Sequence, residues 1–124
     1  MRKPVRAMLA AASSAVLFGS IATSVISVAN ADEASDIAEG KEIAFSTKLG
    51  NCLSCHAIEG GEMPGNIGPP LLAMKARFPD REKLKSQIYD SRVANPTTIM
   101  PPFGAHEILT ADELEKVVSY IHSL

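Results

Sequence analysis

The chain has 124 residues, 46% of them hydrophobic, with 12 Lys and Arg against 14 Asp and Glu for a formal net charge of −2. That length holds one small domain and no second. Its acidic balance excludes nucleic acid as the expected partner, since binding it calls for a basic footprint.

The chain opens on Met1-Arg2-Lys3-Pro4-Val5-Arg6, three positive charges and no negative one. An uncharged apolar or small stretch runs from Ala7 to Ala29 and ends in Ala29-Asn30-Ala31, just before Asp32-Glu33. A basic start, an apolar middle and an A-x-A site make the three-part plan of a secretory signal peptide. The competing reading is an uncleaved membrane anchor, because the stretch approaches the roughly 20 residues that span a bilayer. Ser13, Ser14, Ser20, Thr23, Ser24 and Ser27 dilute its hydrophobicity, which favours cleavage and export to the periplasm. On this reading residues 1–31 are removed and residues 32–124 form the mature domain, with no membrane span. Losing Arg2, Lys3 and Arg6 makes that domain more acidic still.

A first helix is expected to begin at Asp36, where Asp36 and Glu39 have capping-box spacing, and to run to about Lys48. Ile37, Gly40, Ile43, Ala44 and Thr47 mark its apolar face, and Gly50-Asn51 ends it. Next comes Cys52-Leu53-Ser54-Cys55-His56, and C-x-x-C-H is the attachment signal for c-type haem. Two thiols one helical turn apart can reach both vinyl groups of one porphyrin, and the following residue then sits beneath the iron. Cys52 and Cys55 are therefore expected to form thioethers, and His56 the proximal iron bond. Export agrees, because c-type haem is attached outside the bacterial cytoplasm.

Other readings of the same residues fit less well. A thioredoxin-type redox pair normally heads a helix in a βαβ context, and no strand-rich alternation lies nearby. A zinc site from Cys52, Cys55, His106 and His122 has far wider histidine spacing than zinc fingers use. A disulfide would close only a tight loop and leave His56 unexplained.

Gly68-Pro69-Pro70-Leu71 follows a glycine-rich loop. A haem histidine normally donates its second ring N–H to a backbone carbonyl, and Pro69 is the candidate acceptor, at about 2.7–3.2 Å. A second helix is expected to start near Asp80, after Phe78-Pro79, to carry Leu84 and Ile88 at i, i+4, and to stop before Asn95-Pro96.

The sixth iron position needs a ligand, and a methionine thioether there raises the potential. Met63 lies too near His56 to cross easily to the other haem face. Met74, in the apolar run Leu71-Leu72-Ala73-Met74, suits a core role. Met100 sits in Thr97-Thr98-Ile99-Met100-Pro101-Pro102-Phe103-Gly104, where prolines stiffen an extended loop. Met100 is the expected distal ligand, with Met74, His106 and His122 as rivals.

Thr110 and Glu113 form a second capping box, and Leu114, Val117, Val118 and Ile121 give the core stripe of a C-terminal helix. No strand is called for, so the expected domain is all-α, with Gly40 letting the first helix cross closely against the Tyr120-bearing last one. A domain this small buries a modest core, and the haem supplies much of the missing apolar volume. Lys75, Arg77, Arg81, Lys83, Lys85 and Arg92 gather between acidic ends. They read either as a surface that steers a redox partner or as an ordinary solvated helix face.

Taken together, Asn51 through His56, Gly68 through Leu71, Phe78-Pro79-Asp80-Arg81, Asn95 through Gly104 and Ile108-Leu109-Thr110 resemble the SoxX family, monohaem cytochromes of bacterial sulfur oxidation. The likeness covers essentially the whole mature chain. The haem pentad and G-P-x-L are shared by class I cytochromes c at large; the N-P-x-T-x-M-P-P-F-G block is the more specific part. The resemblance implies a small class I cytochrome c fold, three to four helices around one covalent haem c. Cys52, Cys55, His56, Pro69 and Met100 would bind it, His56 and Met100 holding the iron.

It also implies the electron-transfer subunit of SoxAX, an L-cysteine S-thiosulfotransferase. In that heterodimer a SoxA-type cytochrome carries the thiosulfate chemistry, coupling thiosulfate oxidatively to a cysteine of the SoxYZ carrier and releasing two electrons. This chain, not catalytic alone, would take those electrons and pass them to a soluble cytochrome c. The alternative is a free periplasmic electron shuttle without a catalytic partner. The extended Met100 block and the lack of a lysine-rich surface favour the SoxX reading. A thiol–disulfide oxidoreductase, the third reading, would show titratable thiols after reduction, whereas thioether-linked cysteines would not.

Overall fold

The computed structural model describes the backbone of residues 24–124 and the side chains of residues 31–124. Residues 1–23, and with them most of the expected signal peptide, lie outside the described residues. Among the described residues there are four α-helices: α1 (Ser24–Phe45), α2 (Met74–Arg77), α3 (Arg81–Tyr89) and α4 (Ala111–Ser123), with 3-10 turns at Cys52–Ser54 and Ser91–Val93. Among the described residues there is no strand, and no helix is long and apolar enough to cross a membrane.

α1 begins well before the point that the Asp36/Glu39 spacing predicts. Asp36 lies inside the helix, so it caps nothing; Glu39 instead accepts a hydrogen bond from Ser35 Oγ (3.1 Å) and pairs with Lys116 Nζ (2.8 Å). No Gly or Pro interrupts residues 24–36, and once a helix is nucleated, each added residue gains a backbone bond. Propagation therefore overrides a local cap signal. At its other end α1 stops at Phe45 rather than near Lys48, because the chain turns back on itself. The Gly50 N–H donates to the Ile43 carbonyl (3.1 Å) and the Asn51 N–H to the Ser46 carbonyl (2.9 Å). The left-handed residue of this turn is Asn51, at φ 48°, one of the few non-glycine types that visits this region readily. Thr47, expected on the apolar face, falls in the turn and is exposed.

α1 and α4 cross in close contact at Gly40. A Cβ on that residue would lie 2.5 Å from the Lys116 carbonyl carbon and 3.0 Å from Tyr120 Cβ, so the approach requires glycine. Ala44 is fully buried one turn on. Phe45 meets Tyr120 edge-on, with ring centroids 6.1 Å apart and planes at 77°, an arrangement that complements the ring quadrupoles.

α4 follows its sequence pattern. Thr110 Oγ1 accepts from the Glu113 N–H (3.3 Å) while Glu113 Oε2 accepts from the Thr110 N–H (2.8 Å), and Leu114, Val117, Val118 and Ile121 are buried with Tyr120.

α3 is capped by Asp80, whose carboxylate accepts from the Glu82 N–H (2.9 Å), and its Leu84 and Ile88 are buried. Arg81 ties α3 to α4 through Glu115 Oε2 (2.9 Å), the Glu115 carbonyl (3.2 Å) and Ser119 Oγ (3.0 Å); Lys85 pairs with the same carboxylate. Arg92 pairs with Asp90. Three of the six mid-chain cations, Arg81, Lys85 and Arg92, are thus engaged in local ion pairs. α2, a single turn, sets Met74 into the core, and the Met74 N–H donates to the Leu124 carbonyl (2.7 Å).

Candidate haem site

A cavity of about 500 Å³ opens between the Cys52–Ser54 turn, the Gly68–Leu71 strip, α3, the Met100 loop and α4. Its walls are mostly apolar, with Leu71, Met74, Leu84, Ile88, Phe103, Val117 and Ile121 among them, and among the described residues Arg77 is the one lining side chain with a full charge. Arg77 Nη1 donates to the Pro70 carbonyl (2.8 Å) and to Met74 Sδ (3.5 Å).

The tight turn at Cys52 is what brings both thiols to this cavity. Left-handed Asn51 starts it, and the Cys52 carbonyl accepts from the N–H groups of Cys55 (3.2 Å) and His56 (2.9 Å). Cys52 and Cys55 are not disulfide-bonded, are half-buried, and both line the cavity. Burial pushes the Cys52 thiol up to about 11. That is opposite to the lowered thiol that an attacking redox cysteine needs.

His56 Nδ1 lies 2.7 Å from the Pro69 carbonyl. A carbonyl only accepts, so Nδ1 carries the proton and Nε2 keeps its lone pair for a metal. The strip that supplies this carbonyl is laced to the haem motif by backbone bonds: Gly65 N–H to Leu53 (2.7 Å), Gly68 N–H to Cys55 (2.8 Å) and Leu71 N–H to Ala57 (2.9 Å). Gly68 must be glycine, because a Cβ there would lie 2.6 Å from His56 Nδ1.

Of the three candidate methionines, Met63 is almost fully exposed and away from the cavity. Met74 and Met100 both line it. The Met74 sulfur accepts the Arg77 hydrogen bond, while Met100 is half-buried on a loop. Its N–H donates to Thr98 Oγ1 (3.2 Å) and its carbonyl accepts from Ser91 Oγ (2.9 Å). The histidine rivals sit elsewhere. His106 Nε2 accepts from Arg92 Nη1 (3.2 Å), and His122 Nε2 donates to the Phe78 carbonyl (3.1 Å). Neither lines the cavity. Among the described residues no group of three or more His, Cys, Asp or Glu could hold a metal ion, so the structure does not assemble the zinc alternative.

The Cytochrome c family matches residues 37–124. This chain belongs to that family. A cytochrome c is an electron-transfer protein with covalently attached haem c and its iron, and the four helices without a strand among the described residues are its small all-α fold. The site fits the group on its own chemistry: two thiols at C-x-x-C spacing, a histidine held in the metal-binding tautomer and a thioether share one apolar cavity. The cytochrome c domain is similar to an uncharacterized lipoprotein of Aquifex aeolicus (strain VF5), 34% identical over 77 residues, which are 61% of this chain and 37% of that one. The chain therefore spans little more than a third of that relative's length.

Sequence reasoning missed two features of the cytochrome c site. Ser91, the one buried polar side chain among the described residues, carries no local pattern that announces a partner nine positions away. Four exposed apolar side chains, Leu49, Ile67, Ile99 and Ile108, rim the cavity from four separate segments. Each looks like an isolated surface residue until the fold brings them together.

Proposed function

We propose that this chain is the electron-transfer subunit of a SoxAX-type L-cysteine S-thiosulfotransferase. The observation that carries the reading is the Asn95–Gly104 block, the segment most specific to the SoxX resemblance: its Met100, Pro101 and Phe103 line the same cavity as Cys52, Cys55 and His56. In this reading Cys52 and Cys55 would hold the haem through thioethers, and His56 Nε2 and the Met100 sulfur would bind its iron. Bound haem iron supplies one-electron exchange between its ferrous and ferric states. The protein's part is to fix the proximal ring through the Pro69 carbonyl, to present the thioether on a proline-stiffened loop, and to keep water out with apolar walls.

With haem so held, both cysteines would be consumed by thioethers and both open iron positions taken by His56 and Met100, leaving no thiolate to attack sulfur and no vacant site to bind thiosulfate. Coupling of thiosulfate to a SoxYZ carrier cysteine then falls to a SoxA-type partner, and this chain takes the electrons and passes them to a soluble cytochrome c. Export to the periplasm, with cleavage after residue 31, is supported by the three-part N terminus. The description of the Aquifex relative as a lipoprotein is compatible with it.

Co-purification from the periplasm with haem staining and intact mass tests the reading. A second haem-bearing chain is expected, and the isolated chain should be reducible yet fail to conjugate thiosulfate until that partner is added. Conjugation by the isolated chain, with no second protein detectable by mass spectrometry, would overturn it. The exposed apolar rim would equally serve brief encounters of a free shuttle. A chain that purifies alone and reduces an oxidase directly would favour that second reading.

A further inference from the structure

We propose that Ser91 is a positioning residue for the sixth iron ligand, clamping both ends of the Asn95–Met100 loop so that the Met100 sulfur is held over the cavity. This rests on the reading of Met100 as distal ligand.

Ser91 is completely buried, the lone polar side chain in the core of the described residues. A buried hydroxyl is unfavourable unless it is paired, and its pairing here is with the loop. Its Oγ donates to the Met100 carbonyl at 2.9 Å, while its own carbonyl accepts from the Asn95 N–H at 3.0 Å. One residue thus closes the loop at its first and last positions. Between them the loop is braced internally: Asn95 Oδ1 accepts from Thr97 N–H (3.2 Å) and Oγ1 (2.9 Å), and Thr98 Oγ1 accepts from the Met100 N–H (3.2 Å).

The far shoulder is held by the same part of the fold. The Tyr89 carbonyl, at the end of α3, accepts from both Gly104 and Ala105 (3.1 Å each), and a side chain on Gly104 would strike the Tyr89 ring. Leu84 and Ile88 seat α3 in the core, so the ligand loop is referenced to a packed helix on both sides of Met100. Without the Ser91 hydroxyl, the Met100 carbonyl loses its partner in a part-buried site. The loop then gains freedom to carry its sulfur away from the iron.

The experiment uses the ferric holoprotein and titrates it with imidazole, which competes with the thioether for iron. The readout is loss of the weak sulfur-to-iron band near the red end of the spectrum. Ser91→Ala should bind imidazole about tenfold more tightly, the size expected when a single net hydrogen bond holding the loop is removed. Ser91→Thr, which keeps the hydroxyl, should stay within about twofold of wild type whatever its thermal stability. Val118→Ala, a core truncation away from the cavity wall, controls for general loosening and should leave imidazole affinity unchanged. If Ser91→Ala accumulates poorly, Ser91→Cys, similar in shape with a weak donor, should show the same shift at smaller amplitude.

Wild-type imidazole affinity in Ser91→Ala or Ser91→Cys, or an equal shift in Val118→Ala, would overturn the clamp. The ligand reading is tested apart from it: a sulfur band that persists in Met100→Ala removes Met100 from the iron, whereas its loss there beside an unaltered Ser91→Ala removes only the clamp.

Discussion

Beside the proximal histidine, position 68 has no room for a side chain. Gly68→Ala would force a methyl against the His56 ring and turn it off the Pro69 carbonyl, so a cost of about 1–3 kcal/mol is expected from overpacking alone. The checks are denaturant unfolding and the ferric absorption spectrum, which should show a weakened axial field; wild-type values in both would sink the idea. On the other side, Met100→Ala should remove the sulfur-to-iron band and lower the midpoint potential, because a thioether favours ferrous iron. An unchanged spectrum would pass the role to Met74, the other methionine at the cavity. Much of this was legible in the residues: the His56–Pro69 bond follows from a motif histidine that needs a carbonyl and a rigid G-P-P-L strip to supply one. Ser91 was not, since its meaning lies in a contact that only the folded loop creates.

At the scale of elements, the α1–α4 crossing depends on one absent methyl. Gly40→Ala gains up to about 1 kcal/mol of helix propensity, yet its Cβ would meet the Lys116 backbone, which cannot rotate away as a side chain would. We expect net destabilisation of about 1–3 kcal/mol, read as a lowered denaturant midpoint; a stabilised variant would show that the helices separate freely. α3 and α4 are joined differently, through Glu115. Its carboxyl is held below the usual glutamate range, chiefly by the Lys85 ammonium and then by Arg81. A lowered folded-state value means the tie is present above about 4.5 and is lost as pH falls through that lowered value. The groups are partly exposed, so the effect is small. Glu115→Gln should lower stability slightly at pH 7 and leave it unchanged well below pH 4.5, so that the acid limb of the stability–pH profile flattens, as followed by thermal melts; an unchanged acid limb would place the tie's contribution at nothing.

Legibility of the elements varied with how local their causes are. α4 and α3 were readable because cap and stripe lie within a dozen residues. The start of α1 was misread because a capping spacing says where a helix can begin, not where a preceding one has already begun. α2 is a single turn and leaves no periodic trace; its N-terminal Ala73, left-handed at φ 51°, is a conformation that alanine adopts only under tertiary constraint.

Across the whole molecule, core and cavity overlap: Met74, Leu84, Ile88, Phe103, Val117 and Ile121 are buried core residues that also line the site. Ile121→Val, worth about 0.5–1.5 kcal/mol, should therefore shift the midpoint potential as well as the melting temperature, because it changes the packing that screens the iron. Leu114→Ala and Val118→Ala lie off the wall and should cost stability alone. Protein-film voltammetry beside thermal melts separates the two sets, and potentials that ignore the division would refute it. At the positions that serve both tasks, thermal adaptation and redox poise cannot drift independently. A lineage or an engineer that repacks that shared wall for heat also retunes its voltage.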